Sequence, residues 1–180
     1  RGNAVLDASG YVTARRQATV SSKFTGKVVE VYVEEGVMVE TNQLLAKLDD
    51  STQLAQYNLS KAQLEATESR LIEVDVRLQE AGLELKRTIK LAGKKLASEA
   101  DLDRATLAVA GFKARLTALR SEIKVGESRV KVQQQLLDDT EIRAPFPGVV
   151  IAKSAQPGEM ISPITEWPCW NRPGICTLVD

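Results

Sequence analysis

Between Tyr57 and Leu137 the apolar residues recur every seven positions. The first series is Tyr57, Leu64, Leu71, Leu78 and Leu85, and the second is Leu102, Val109, Leu116, Ile123, Val130 and Leu137. Three residues beyond members of each series stand apolar or small partners: Thr67, Val74, Ala81 and Thr88, then Ala105, Phe112, Leu119 and Gly126. This is the a/d pattern of a coiled coil. No proline lies between Asp50 and Arg143, so nothing there must break a helix. One short interruption, Leu91 to Ser98 with Gly93 inside it, separates the two series. The pattern predicts two long helices folded back on each other over residues 50–139, with a tip near 91–98. At 1.5 Å per residue, such a hairpin is about 60 Å long. Asp49, Asp50, Ser51 and Thr52 offer N-caps for the first helix, and Ser98 with Asp101 three residues on resembles a capping box for the second. Gly82, Gly111 and Gly126 fall inside the helices, each at about 1 kcal/mol relative to alanine. Close helix approach at small positions is the expected reason.

Outside that stretch the period drops to two. Val29, Val31 and Val33 alternate with polar residues and run into Gly36, which predicts a half-buried strand and a turn. Further short strands are predicted at 18–22, 37–39, 44–48, 149–151, 160–161 and 174–179, and 5–13 also leans to β. The two β segments repeat each other. Gly26 and Gly36 match Gly148 and Gly158, Val28 matches Val150, Met38 matches Met160 and Val39 matches Ile161. Each copy is too small to bury a core alone, so the pair is expected to form one small sandwich of quasi-twofold symmetry. The β domain is thus split, 1–49 and 140–180, with the hairpin inserted between its halves.

Charge and composition narrow the chemistry. Lys+Arg and Asp+Glu are both 24, and the net charge is zero. No electrostatic case remains for nucleic acid as the main partner. Histidine is absent, which argues against general acid–base catalysis and against imidazole-held metal. Cys169 and Cys176 can close a short disulfide loop in an oxidising compartment or stand as two unpaired small hydrophobes, and their spacing leaves both open. No apolar run approaches the ~20 residues needed to span a bilayer. The ends, at Arg1 and at Val179 and Asp180, read as those of a segment of a longer chain.

The two β halves, built on Gly26 to Gly36 and on Ala144 to Ile151, look like those of a biotinyl/lipoyl-type domain. With a helical hairpin between them, the chain resembles the periplasmic adaptors, or membrane fusion proteins, of bacterial tripartite efflux pumps. Val39 to Asp49 fits the family's first half, and Ile142 to Lys153 fits the second. Adaptors that dock an outer-membrane exit duct carry an arginine, a leucine four residues on and a serine seven further. Here these are Arg87, Leu91 and Ser98. The guanidinium can donate directed hydrogen bonds to a partner helix tip, the leucine offers an apolar anchor and the serine sets the turn. The bland alternative makes them a solvated arginine, a leucine closing the coiled-coil end and a simple cap. Asn42 stands where the family has a turn glycine. Asparagine tolerates the left-handed conformation, so the turn is expected to survive. The segment from Thr165 to Pro173, with Trp167 and Trp170, is unusual for the loop before the last strand.

The resemblance implies an α+β fold, a split lipoyl-like β-sandwich (barrel-sandwich hybrid) with a long inserted antiparallel hairpin. It implies a non-enzymatic adaptor without cofactor, metal or catalytic residues. The chain would hold only the middle of such a protein. The whole would sit in the periplasm, attached to the inner membrane, and self-assemble into a ring, expected to be hexameric. It would link an inner-membrane transporter, contacted through domains outside this chain, to an outer-membrane channel at the hairpin tip. Hairpin length points to an ABC-type transporter. The alternatives are a proton-driven (RND) drug or metal pump and type I protein secretion. A lipoyl or biotinyl carrier would need a lysine on the turn between the halves, but the helices replace that turn, and Lys47 and Lys153 fall within or beside strands. A plain coiled-coil scaffold would leave the β repeat unexplained.

Overall fold

A computed structural model describes residues 15–163 and 174–180. The expected strand at 5–13 and the segment holding Trp167, Cys169 and Trp170 lie outside the described residues. The chain divides into two compact units, residues 1–50 with 138–180 and residues 51–137.

Among its described residues the β unit holds eight strands: β1 (Gln17–Val20), β2 (Gly26–Val31), β3 (Met38–Val39), β4 (Leu44–Leu48), β5 (Glu141–Arg143), β6 (Gly148–Lys153), β7 (Met160–Ile161) and β8 (Cys176–Val179). They form two four-stranded sheets, β1-β8-β6-β3 and β5-β4-β2-β7, with antiparallel pairing throughout. The repeat is visible as pairing. Gly26 faces Ile161 and Lys27 faces Met160, while Gly148 faces Val39 and Val149 faces Met38. Each half therefore lends its two-residue strand, β3 or β7, to the other half's sheet. The backbone repeats as well: Gly158 N–H donates to Val28 C=O at 2.8 Å, and Gly36 N–H donates to Val150 C=O at 2.7 Å. Gly36 and Gly158 have φ of 83° and 93°, the left-handed region that glycine enters without strain.

The core of this unit is Val20, Val28, Val33, Val39, Leu45, Leu48, Ile142, Val150, Ile161, Ile175 and Leu178, with Phe24 and Phe146 packed against it. One expectation needs correcting. Val29 does not belong to the inward set; it is 46% exposed, whereas Val28 is fully buried. The register of β2 against β4 slips between Val28 and Glu30. That bulge adds one residue and resets the alternation, so that Val28 and Val33 both turn inward. The same slip occurs in β6 after Val150. Val150 is buried and Ile151 exposed, as the repeat requires. The turn at Asn42 survives, with φ of 67°.

The helical unit comprises α1 (Ser51–Gly93) and α2 (Glu99–Asp138). Both run far longer than an isolated helix needs for stability. The a and d positions face inward as predicted: Val74, Leu116 and Leu119 are buried, with Leu71, Leu78 and Phe112 packed on them. Gly126 sits against Leu64, where an added Cβ would stand 2.9 Å from Leu64 Cδ1, so close approach explains this glycine. It does not explain Gly82 or Gly111, beside which the space is open. The described helices include none long and apolar enough to cross a membrane.

Candidate partner-docking site

The site expected from sequence lies where α1 turns into α2. Helix α1 does not stop at Leu91 but continues to Gly93. Its end is a Schellman motif. Leu96 N–H donates to Leu91 C=O at 2.9 Å, and Lys95 N–H donates to Ala92 C=O at 2.9 Å. The left-handed residue this motif needs is Lys95, with φ of 58°. Gly93, which lies inside the interruption between the two heptad series, is the last residue of α1.

Helix α2 begins with a full cap. Asp101 N–H donates to Ser98 Oγ at 3.2 Å, and Ser98 Oγ donates to Asp101 Oδ2 at 2.6 Å. Ser98 N–H also reaches Asp101 Oδ2, at 3.4 Å. These bonds satisfy donors that a helix start leaves open. The Ser98 hydroxyl, then the Ser98 N–H, and further the Arg104 guanidinium hold the Asp101 carboxyl below the usual aspartate range.

The three expected residues occupy different parts of this end. Leu91 lines an open cleft of about 450 Å³ together with Thr88, Leu96, Ala97 and Asp101. Ser98 contributes through its bond to Asp101. Arg87 sits one turn before Leu91 and borders a neighbouring groove with Leu83 and Phe112. Its contact with Glu84 is long, 3.4 Å, and its side chain is 72% exposed. Leu96 was missed in sequence. It is 71% exposed, beside the 45% of Leu91, so the tip presents an apolar pair. The signal was available: a hydrophobic pair at these two positions accompanies the Schellman motif.

Other chemistry is sparse. The described residues contain no cluster of acidic, cysteine or histidine side chains able to hold a metal ion. Lys47 lies in β4 and pairs with Asp50 at 3.0 Å. Lys153 lies in β6 and pairs with Glu34 at 2.8 Å. Neither is placed on a turn as a carrier lysine would be. Cys176 is a free, buried thiol, and burial pushes it up to about 11. Its expected candidate partner, Cys169, lies outside the described residues.

The pattern of the CzcB-like, barrel-sandwich hybrid domain matches residues 16–167. The chain belongs to this family. Among its relatives, the Macrolide export protein MacA of Yersinia pestis is 28% identical over 173 residues, covering 96% of this chain and 45% of MacA. The Multidrug resistance protein MdtA of Salmonella heidelberg (strain SL476) is 31% identical over 157 residues, covering 87% of this chain and 35% of MdtA. The crystal structure of MacA from Actinobacillus actinomycetemcomitans matches with a TM-score of 0.83 at 26% identity, over 93% of this chain and 50% of that one. The chain thus spans less than half the length of these two curated relatives. The barrel-sandwich hybrid fold with its long helical pair, expected from the repeat and the heptads, is the fold found.

Proposed function

We propose that this chain is the central part of a periplasmic adaptor that links an inner-membrane transporter to an outer-membrane exit duct. In this reading it is not an enzyme. It serves as a spacer and connector, assembles into a ring, in all six copies, and reaches the duct with the end of its hairpin. Arg87, Leu91 and Ser98 carry that contact: Leu91, with Leu96, as the apolar anchor, Arg87 as a multi-donor cation and Ser98 as the group that sets the turn. The likeness to MacA, a macrolide export protein, carries the reading and favours an ABC-type transporter. A second reading, an adaptor for proton-driven drug export, draws on the likeness to the multidrug resistance protein MdtA.

The test uses the full-length protein in its own host. Arg87→Ala, Leu91→Ala and Ser98→Ala are each expected to abolish duct-dependent efflux while circular dichroism shows undiminished helix. Full efflux in all three variants would sink the tip assignment. Restoring efflux in a host that supplies either an ABC-type or a proton-driven transporter separates the two readings, since export is expected with the matching class alone.

A further inference from the structure

The end of α1 carries a feature that the docking triplet does not use. Lys86, Lys90 and Lys94 recur every four residues, up to the first position past α1, and Arg87 stands beside Lys86, so the three lysines follow one stripe with Arg87 at its edge. All four are exposed, whereas Leu85, Thr88 and Ala92 on the seam are half-buried or buried. Lys95 continues the stripe into the turn. Arg87 has its long contact with Glu84, but among the described residues no ion pair holds Lys86, Lys90, Lys94 or Lys95.

Nothing local accounts for this clustering. The chain as a whole is neutral, so composition does not force it. Like charges three or four residues apart repel along a helix. The helix dipole favours Lys90 in the last turn, but its effect fades within that turn and does not extend to Lys86 or Arg87. A run of unneutralised cations against the local preference is expected where a partner supplies the missing charge. Apolar residues lie among the cations: Leu83, Ile89, Leu91 and Leu96 are all about half exposed or more. Across the turn, α2 starts with Glu99, Asp101 and Asp103, all exposed. That acidic start would repel an anionic lipid surface, whereas a protein partner can match charges of both signs.

We infer that Lys86, Lys90 and Lys94 form an ion-pairing stripe that selects a protein partner presenting carboxylates at helical spacing. The inference rests on the reading of this tip as the docking end and names the chemistry of what it docks. Arg87 and Leu91 would supply anchoring, and the lysines would supply choice of partner and speed of encounter.

The experiment places a photo-crosslinking residue at Gly93 of the full-length protein in its own host and measures capture of the outer-membrane duct. Capture is expected to fall when salt rises from about 0.1 M to about 1 M, which shortens the Debye length from about 10 Å to about 3 Å. Lys86→Glu, Lys90→Glu and Lys94→Glu together are expected to cut capture about tenfold and remove its salt dependence, with unchanged helix content. The corresponding glutamine triple should lose less. Changing the cross-linked carboxylates of the duct to lysine should restore capture by the charge-reversed variant. If the triple variant captures the duct as well as the parent while Arg87→Ala and Leu91→Ala do not, the stripe is overturned and the docking tip stands. If no variant changes capture, or the parent captures no duct, both fall. Flotation with vesicles containing phosphatidylglycerol is the remaining arm. Strong binding lost in the triple variant, with duct capture intact, would assign the stripe to lipid and overturn the inference.

Discussion

In the β unit, Leu45, Leu48, Val150, Ile175 and Leu178 are sealed from solvent. In the helical unit the apolar side chains that reach burial are Val74, Leu116 and Leu119, and Ile72, Val76, Leu83, Leu107 and Val125 stand more than half exposed. One unit is held by a closed core with interlocked strands. The other is held by a narrow seam repeated many times. The difference lies in how each responds to damage. A closed core has no slack, because strand register, bulges and side chains must agree at once. A seam spreads its stability over turns that each contribute little, and it tolerates polar members such as Ser60 and Thr88.

The sharpest way to break the comparison is the glycine pair related by the β repeat. At Gly148 an added Cβ would stand 2.4 Å from the backbone oxygen of Val179, which cannot move without shifting β8. At Gly26 the nearest atom is Leu48 Cδ1 at 3.2 Å, the flexible end of a side chain. Gly148→Ala is therefore expected to cost about 2–4 kcal/mol, and Gly26→Ala about 1 kcal/mol or less. Urea unfolding of both variants checks this. Equal losses would mean that the two halves are not held by register in the way described.

How far the sequence speaks follows the same division. A helix is a local object, so seven-residue spacing from Tyr57 to Leu137 was enough to place both helices and their seam. A sheet is not. The exchange of β3 and β7 depends on partners more than a hundred residues away, and the bulge that turns Val29 outward is set by the register of β2 against β4, not by the alternation of β2 alone. The repeat of Gly26 with Gly148 was legible, but the pairing it produces was not. At the tip, the spacing of Arg87, Leu91 and Ser98 could be read, and the cap at Ser98 with it. The left-handed residue was not legible, because the interruption from Leu91 to Ser98 marks only where the turn falls, and the Schellman hydrogen bonds put Lys95 there. The lysine stripe was hidden by counting charge over the whole chain, where it cancels.

A smaller effect sharpens the account of the seam. Ser60 sits at a d position, 2% exposed, and its Oγ has no partner among the described residues. A buried hydroxyl without a partner is destabilising, and serine is also a weaker helix former than alanine. Ser60→Ala is expected to raise stability by about 1 kcal/mol, read as a rise in melting temperature. In a closed core the same kind of truncation would open a cavity. In an open seam the loss of one oxygen is absorbed. A drop in melting temperature would show that the seam is packed as tightly as the β core.

The smallest effect is expected at the cap of α2, and it depends on pH. The Asp101 carboxyl lies below its ordinary range, chiefly because the Ser98 hydroxyl bonds to its charged form. A group whose pKa falls on folding stabilises the fold fully above its unfolded value, near ~3.9 for aspartate. That stabilisation is lost as the pH drops through the lowered folded value. Amide exchange at residues 99–102 should therefore accelerate below pH about 4, before the middle of either helix responds. Asp101→Asn should remove this pH dependence and leave a slightly weaker cap at all pH values. If the parent and Asp101→Asn show the same exchange profile, the charged cap plays no part in holding the turn. The shape of the tip would then rest on the Schellman motif of α1 alone, with Leu91 and Leu96 as its apolar pair.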